Sequence, residues 1–260
     1  MERLPSTTLP SKPLPLCPDP SEYQATRAEK KLYLSKVASA LYAAIQTRPD
    51  IAFPASYLST FSTNPTPTHH AAADHLLGYL YKTKWLGICF DGEEEDLLAY
   101  ADASFADNPD RRSTEGYIMK LFGGPILWRS GKQKCVTRSS TEAEIRSAST
   151  AATQLISLER LLSQIGLDLG SALTLFGDNT QTIRLLNSET GAIATKLRHI
   201  DIHQLWLRQE VSAGRFKVKW VPSAEMTADG LTKRLTKDQQ EAFVRALGLV
   251  DCSIPFQQGY

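Results

Sequence analysis

The order of strand-like and helix-like segments after residue 97 is the feature that most constrains the fold. Three short segments with strand character come first, at 97–105, 116–123 and 125–130, and Gly123-Gly124 is predicted to form the tight turn between the last two. The elements predicted to follow are a long amphipathic helix over 140–165, a strand over 172–178, a helix to about Leu186, a helix over 200–213, a strand over 215–221 and a helix near 237–247. This order predicts an α/β fold, with a five-stranded mixed sheet flanked by helices.

The chain before this region has a different character. Residues 1–22 contain six prolines, which favours an extended tail or linker. Apolar spacing over 23–92 predicts two or three short helices, interrupted where prolines occur. We therefore expect a Pro-rich tail over 1–22, a small helical segment over 23–92 and an α/β domain over 97–247.

Composition limits the classes of protein to consider. Lys and Arg total 29 against 28 Asp and Glu, so a nucleic-acid surface would have to be a local patch. The four cysteines are scattered without metal-ligand spacing, as in proteins of reducing compartments. Neither a signal peptide nor an apolar run long enough for a membrane span is apparent. We expect an intracellular protein without a membrane partner, and cytoplasm and nucleus are not distinguished.

Two aspartates occupy strand positions that suggest chemistry. Asp102 lies within the apolar segment LLAYADASF, where an unpaired charge is costly. Asp178 ends the segment ALTLFGD, and open α/β sheets bind ligands at such strand ends. An acid at a strand end can also be a turn former, and Asp178 could cap the helix that follows. The residues alone leave both interpretations open.

The long helix offers two glutamates that its geometry distinguishes. Ser139 and Glu142 have the spacing of a capping box, which assigns Glu142 a structural role. Relative to Ala148 on the apolar stripe, Glu144 lies about 40° away and Glu142 about 120° away. Glu144 is therefore the acid predicted to face the core.

Asp229, in MTADGLTK, is the fourth candidate, although Ala-Asp-Gly is by itself an ordinary turn signal. Acids that converge at a sheet edge repel one another and need cations. Oxygen ligands suit Mg²⁺ or Mn²⁺, and two such ions about 3.5–4 Å apart can clamp a phosphodiester for in-line attack. The acids therefore suggest metal-dependent phosphodiester hydrolysis.

An ordered series of motifs resembles the ribonuclease H domain of copia-type retrotransposon polyproteins. The motifs are AYADASFADNPDRRSTEGYI, SSTEAEI, FGDNTQTI, LRHIDI and VPSAEMTADGLTK. Upstream, RPDIAFPASYLSTFSTNPTPTHH resembles the segment that connects reverse transcriptase to ribonuclease H in that family. The resemblance covers roughly residues 23–235. One departure is Ile145, where family members commonly carry Tyr.

The resemblance implies a ribonuclease H-like fold and cleavage of the RNA strand of an RNA–DNA hybrid. It assigns the catalytic and metal-binding roles to Asp102, Glu144, Asp178 and Asp229, with two Mg²⁺ ions or Mn²⁺ as cofactor. Without an adjacent Asp-Asp pair the polymerase signature is absent, so we expect a polyprotein fragment lacking the polymerase. A reverse transcriptase domain acting in trans is a further expected partner.

Basic residues near the predicted acids are candidates for phosphate contacts. They are Lys132, Lys134, Arg138, Lys217, Lys219 and Lys233. A solvated surface is the better interpretation for any single one of them. Trp128 and Trp220 are expected in the core. His199 and His203 have the i, i+4 spacing of a zinc pair but no evident third ligand. His199 is either structural or an auxiliary residue in product release.

Two alternatives to an active ribonuclease H remain. One is a catalytically silent, nucleic-acid-binding remnant of the retroelement. The other is a different nuclease with the same carboxylate chemistry, such as an integrase or exonuclease domain. The three-strand, one-helix order and the TEAE and GDN motifs favour ribonuclease H over the second alternative.

Overall fold

The structure is a computed structural model that describes residues 5–19, 21–92, 96–167, 169, 173–188 and 201–253, with only the backbone of 201–204. It forms two compact units. Residues Phe90–Thr232 form an α/β unit, and Met1–Cys89 together with Lys233–Tyr260 form a helical unit. None of the described helices is both long enough and apolar enough to cross a membrane.

The α/β unit is built on a five-stranded mixed sheet, as predicted. Its strands are β2 (Leu98–Ser104), β3 (Thr114–Leu121), β4 (Gly124–Lys132), β5 (Leu173–Gly177) and β6 (Phe216–Trp220). They lie in the order β4-β3-β2-β5-β6. The first three are antiparallel, whereas β5 runs parallel to β2 and β6 parallel to β5. The carboxyl ends of β2, β5 and β6 therefore meet at one edge of the sheet.

The turn between β3 and β4 is shifted by one residue from its predicted position. Its central residues are Phe122 and Gly123, because Leu121 pairs with Gly124. Both central residues have positive φ, 53° and 80°, which is the requirement of a type I′ hairpin turn. Phe122 adopts this conformation without being glycine, and its main-chain oxygen accepts a hydrogen bond from the Asp91 N–H at 3.1 Å.

Helices cover the sheet, and the first of them is the longest of those described in this unit. They are α4 (Ser140–Gln164), α5 (Thr180–Asn187) and α6 (Asp201–Ser212). Small residues of α4, including Ala148, Ala151 and Ala152, pack against β2 in one hydrophobic core. Along β2, Ala99 and Ala101 face this core, so alternation turns Asp102 to the opposite face.

Two or three short helices were predicted upstream, and the described part of the helical unit contains three in that region, of which the first has 20 residues. These are α1 (Arg27–Gln46), α2 (Ala52–Ser59) and α3 (Pro67–Lys82). The unit also contains helix α7 (Lys237–Ala246) and the two-stranded sheet of β1 (Leu86–Ile88) and β7 (Leu249–Asp251). The last helix was predicted to belong to the α/β domain. It lies instead in the helical unit, where Gln240 donates to the main-chain oxygen of Asp50 at 3.2 Å.

The described part of the Pro-rich segment, residues 5–19, also differs from the predicted extended tail. Leu9 and Leu14 are buried in the core of the helical unit. The imidazole Nε2 of His69 donates to the main-chain oxygen of Pro15 at 2.7 Å. The imidazole Nε2 of His75 donates to the main-chain oxygen of Thr7 at 2.9 Å. Prolines prevent regular secondary structure, but apolar side chains between them still gain by burial.

Candidate active site

Asp102 is held in the sheet beside a glycine. It is 2% exposed and lies directly opposite Gly116 of β3. The hydroxyl of Thr232 donates to its carboxylate Oδ2. The hydroxyl of Ser147 on α4 donates to its main-chain oxygen at 2.8 Å. Hydrogen bonds to both its side chain and its backbone therefore fix the position of this buried acid.

Asp178 follows β5 and reaches the same edge of the sheet, because β5 is parallel to β2. Its Oδ2 accepts a hydrogen bond from the Ser223 hydroxyl at 2.7 Å. The cap of the following helix α5 is provided by Asn179, whose side chain accepts from the Thr182 N–H at 3.0 Å. The structure therefore assigns the capping role to Asn179 and leaves the Asp178 carboxylate at the sheet edge.

Asp229 lies in a short 3-10 helix over Thr227–Leu231 that packs against β2 and β3. Carboxylate oxygens of Asp102, Asp178 and Asp229 all lie within 4.8 Å of one another. The structure thus brings together three of the four predicted acids from distant parts of the chain. Like charges at this separation repel unless a cation lies between them.

Glu144 and Glu142 occupy different environments on α4. Glu144 lines a small cavity with Ala101, Gly177 and other residues, so it lies beside the chain neighbours of Asp102 and Asp178. Its carboxylate is not a member of the cluster of three aspartates. The structure therefore places Glu144 in a cavity at the α4 side of the sheet, lined by the residues that precede Asp102 and Asp178 in the chain.

Glu142 is bound into the start of α4. Its carboxylate accepts from the Arg138 N–H at 2.7 Å and forms an ion pair with Arg146 at 3.2 Å. Its own N–H donates to the Ser139 hydroxyl at 3.1 Å, as a helix cap requires. Only half of the predicted capping box forms, because the carboxylate bonds to Arg138 instead of Ser139. Glu142 still has the structural role that the sequence indicated.

Glu115 is a further buried acid of the sheet, 7% exposed. It pairs with Ala103, whereas Asp102 pairs with Gly116, so the Glu115 side chain faces the opposite side of the sheet from Asp102. Burial raises its pKa, and the charge of Arg129 and a hydrogen bond from Gln133 oppose that rise. Glu115 therefore lies near the aspartate cluster in the sheet without belonging to it.

The oxygens of the three aspartates suit a hard divalent cation. The cluster contains carboxylates alone, a donor set typical of Mg²⁺ and Mn²⁺ sites. Two of the three residues lie on parallel strands or at their ends, and a hydrogen-bond partner orients each of their carboxylates. The residues present therefore fit the predicted metal.

The predicted basic residues are mostly exposed. Lys134, Arg138, Lys217 and Lys219 are exposed in the α/β unit, whereas Lys132 is partly exposed and forms an ion pair with Asp110 at 3.5 Å. Lys233 is exposed and belongs to the helical unit. His199, the predicted auxiliary residue, lies outside the described residues.

Two residues near the acids were not identified as functional from the sequence. Trp220 was expected in the core but is 50% exposed, and its indole N–H donates to the main-chain oxygen of Asp178 at 3.0 Å. No sequence signal indicated this, because the predicted strand continued to Val221, whereas β6 ends at Trp220. Thr232 likewise had no signal, since its contact with Asp102 depends on how the 3-10 helix packs.

Known proteins of similar sequence identify the family. The Pol polyprotein of transposon TNT 1-94 from Nicotiana tabacum is 34% identical over 235 residues, 90% of this chain and 17% of that protein. The chain is a homologue of part of the copia-type Pol polyproteins. It spans 15 to 17% of the length of the Pol polyproteins that it matches. No family model matches the chain.

Other similarities cover smaller parts of this copia-type chain. Secreted RxLR effector protein 161 from Plasmopara viticola is 42% identical over 126 residues, 48% of this chain and 89% of that protein. Among solved structures, LC11 ribonuclease H1 in complex with an RNA/DNA hybrid has a TM-score of 0.40 and 14% identity, covering 52% of this chain and 93% of that one. The structural likeness is weak, so the assignment to a family depends on the sequence relatives.

Proposed function

We propose that this chain is a ribonuclease H that cleaves the RNA strand of RNA–DNA hybrids and depends on divalent metal. The observation that supports this most directly is the convergence of the Asp102, Asp178 and Asp229 carboxylates within 4.8 Å. Homology to copia-type Pol polyproteins supports the same function, because the motifs that carry the resemblance contain these acids.

Asp102, Asp178 and Asp229 would hold the metal, with Glu144 completing the site from α4. Two bound Mg²⁺ or Mn²⁺ ions would supply charge stabilisation at the reacting phosphate and lower the pKa of the attacking water. The protein's own contribution is to fix the carboxylates. Hydrogen bonds from Thr232 and Ser223 hold two of them in place, and α4 presents the glutamate to a cavity that Ala101 and Gly177 also line.

The substrate surface would combine basic side chains with an aromatic ring. The exposed Lys134, Arg138, Lys217 and Lys219 can contact phosphates without reading sequence. Discrimination of RNA from DNA requires contacts to the 2′-hydroxyl, which such phosphate contacts do not supply. We therefore assign the choice of the RNA strand to the region of the acids.

The deciding experiment is cleavage of an end-labelled RNA–DNA hybrid by the full chain with Mg²⁺ or Mn²⁺. We expect cuts in the RNA strand that EDTA abolishes, and much weaker cleavage of double-stranded DNA or RNA of the same sequence. Binding of the hybrid without any cleavage would instead support the catalytically silent remnant. Preferential cleavage of single-stranded DNA would support a different carboxylate nuclease.

We predict that Trp220 contributes to binding of the hybrid by stacking. Its half-exposed indole is held against the backbone of Asp178, so little freedom is lost on binding. The Trp220→Ala variant should weaken hybrid binding by about 5- to 160-fold, since stacking contributes roughly 1–3 kcal/mol per base. Fluorescence anisotropy of a labelled hybrid, with Ca²⁺ in place of Mg²⁺, measures the dissociation constant.

Trp85 provides the matched control for Trp220. It is 55% exposed, close to the 50% of Trp220, but it belongs to the helical unit. The Trp85→Ala variant should bind the hybrid as the parent does. Equal losses in the two variants, or no loss in Trp220→Ala, would contradict a stacking role specific to Trp220.

A further inference from the structure

We propose that Thr232 is a positioning residue for the acidic site, holding Asp102 and Asp229 in register with each other. This inference deepens the proposed function and rests on it for the role of the acids. Thr232 follows the 3-10 helix that contains Asp229, and it was not among the residues that the sequence singled out.

One buried side chain contacts both acidic segments. Thr232 is 1% exposed, and its hydroxyl donates to Oδ2 of Asp102. The same hydroxyl oxygen lies 3.2 Å from the main-chain oxygen of Asp229, and the Thr232 N–H donates to that oxygen at 3.1 Å. Thr232 therefore joins the Asp102 carboxylate of β2 to the backbone that presents the Asp229 carboxylate.

A glycine permits this approach. A Cβ atom at Gly116 would lie 2.6 Å from Cβ of Leu231, closer than Cβ atoms approach other atoms in proteins, and 3.0 Å from Cγ2 of Thr232, a tight contact. Gly116 pairs with Asp102 across the sheet, so the missing side chain leaves room directly beside the acid. The segment that contains Thr232 packs into this space.

The Thr232 hydroxyl also restricts the orientation of the Asp102 carboxylate. A carboxylate without a fixed partner rotates about its last side-chain bond, whereas a hydrogen bond to one oxygen limits that rotation. Ser147 holds the main-chain oxygen of Asp102 from the α4 side, so backbone and carboxylate are fixed independently. Partners that orient metal-binding groups typically change metal affinity or activity by about 10- to 100-fold when they are removed.

Two substitutions separate the effect of the Thr232 hydroxyl from the effect of the side-chain shape. Thr232→Val keeps the shape and removes the hydroxyl, whereas Thr232→Ser keeps the hydroxyl and removes a methyl group. Binding of Mn²⁺ to the full chain is measured from the electron paramagnetic resonance signal of the free ion, and cleavage of the hybrid is measured as a function of Mn²⁺ concentration. Melting temperatures report folding.

We expect Thr232→Val to raise both the Mn²⁺ dissociation constant and the Mn²⁺ concentration for half-maximal cleavage by about 10- to 100-fold. Thr232→Ser should stay within about threefold of the parent. The proposal is overturned if the Thr232→Val variant binds Mn²⁺ as tightly as the parent does, if both variants lose binding equally, or if the parent binds no Mn²⁺. A parent that binds Mn²⁺ but cleaves no hybrid would refute the proposed function alone, because weaker binding by the Thr232→Val variant would still support the positioning role.

Discussion

Replacing Asp102 by asparagine is expected to reduce cleavage of the RNA–DNA hybrid by at least about 100-fold. Even residues that only orient metal ligands change affinity or activity by roughly 10- to 100-fold, and Asp102 is proposed as a ligand itself. Asparagine keeps the size of the side chain, so the packing beside Gly116 is preserved. The measurement is the single-turnover rate of cleavage of an end-labelled hybrid at saturating enzyme.

Folding of this variant should be preserved, which distinguishes lost chemistry from lost structure. Without metal, the Asp102 carboxylate lies within 4.8 Å of the carboxylate oxygens of Asp178 and Asp229. Removing one of three like charges relieves repulsion, so the metal-free variant should melt at the same temperature as the parent or higher. An active Asp102→Asn variant would contradict the assignment of Asp102, and an inactive variant that is also unfolded would require Asp178→Asn to be tested in its place.

Glu115→Gln is the matched control for Asp102→Asn. It also removes a buried acid from the sheet, but on the face away from Asp102. Burial raises the pKa of Glu115 above its ordinary value of 4.5, so the folded protein holds this proton more tightly than the unfolded chain does. The contribution of Glu115 to stability therefore falls as pH rises above 4.5. Glu115→Gln should cleave like the parent and be more stable at pH 7, with the gain disappearing below pH 4.5.

Much of the fold could be predicted from local patterns. Alternation identified strands such as β2. The apolar stripe of α4 predicted that Glu144 faces the core, but Glu142 is buried as well, 2% exposed against 9% for Glu144. The same alternation failed for Trp220, since the covered face ends before the last residue of β6. The residues over 1–22 were misjudged because prolines exclude regular structure without excluding burial of Leu9.

Contacts between distant segments could not be predicted in the same way. The hydrogen bond from Thr232 to Asp102 depends on the packing of a 3-10 helix against β3, and Gly116 permits that packing. No periodicity in the sequence reports such a contact. The convergence of Asp229 with Asp102 and Asp178 could be expected only from the family resemblance, because Ala-Asp-Gly is an ordinary turn signal.

The two glutamates of α4 provide the sharpest test of the proposed site, because they are two residues apart on one helix. We expect Glu144→Gln to lose at least about 100-fold in hybrid cleavage with little change in stability. Its side chain lines the cavity together with Ala101 and Gly177. These two residues directly precede Asp102 and Asp178 in the chain. The loss should appear in the single-turnover rate and in the Mn²⁺ dependence of cleavage.

Glu142→Gln should show the opposite pattern. Its carboxylate accepts from the Arg138 N–H and pairs with Arg146, so losing the charge weakens the start of α4. We expect a loss of about 1 kcal/mol in the free energy of unfolding, measured by urea titration, with cleavage within a few-fold of the parent. If Glu142→Gln abolished cleavage and Glu144→Gln did not, the helical face argument would be wrong. The catalytic glutamate would then be the one bound to Arg146, and the site would require α4 to rotate from its present orientation.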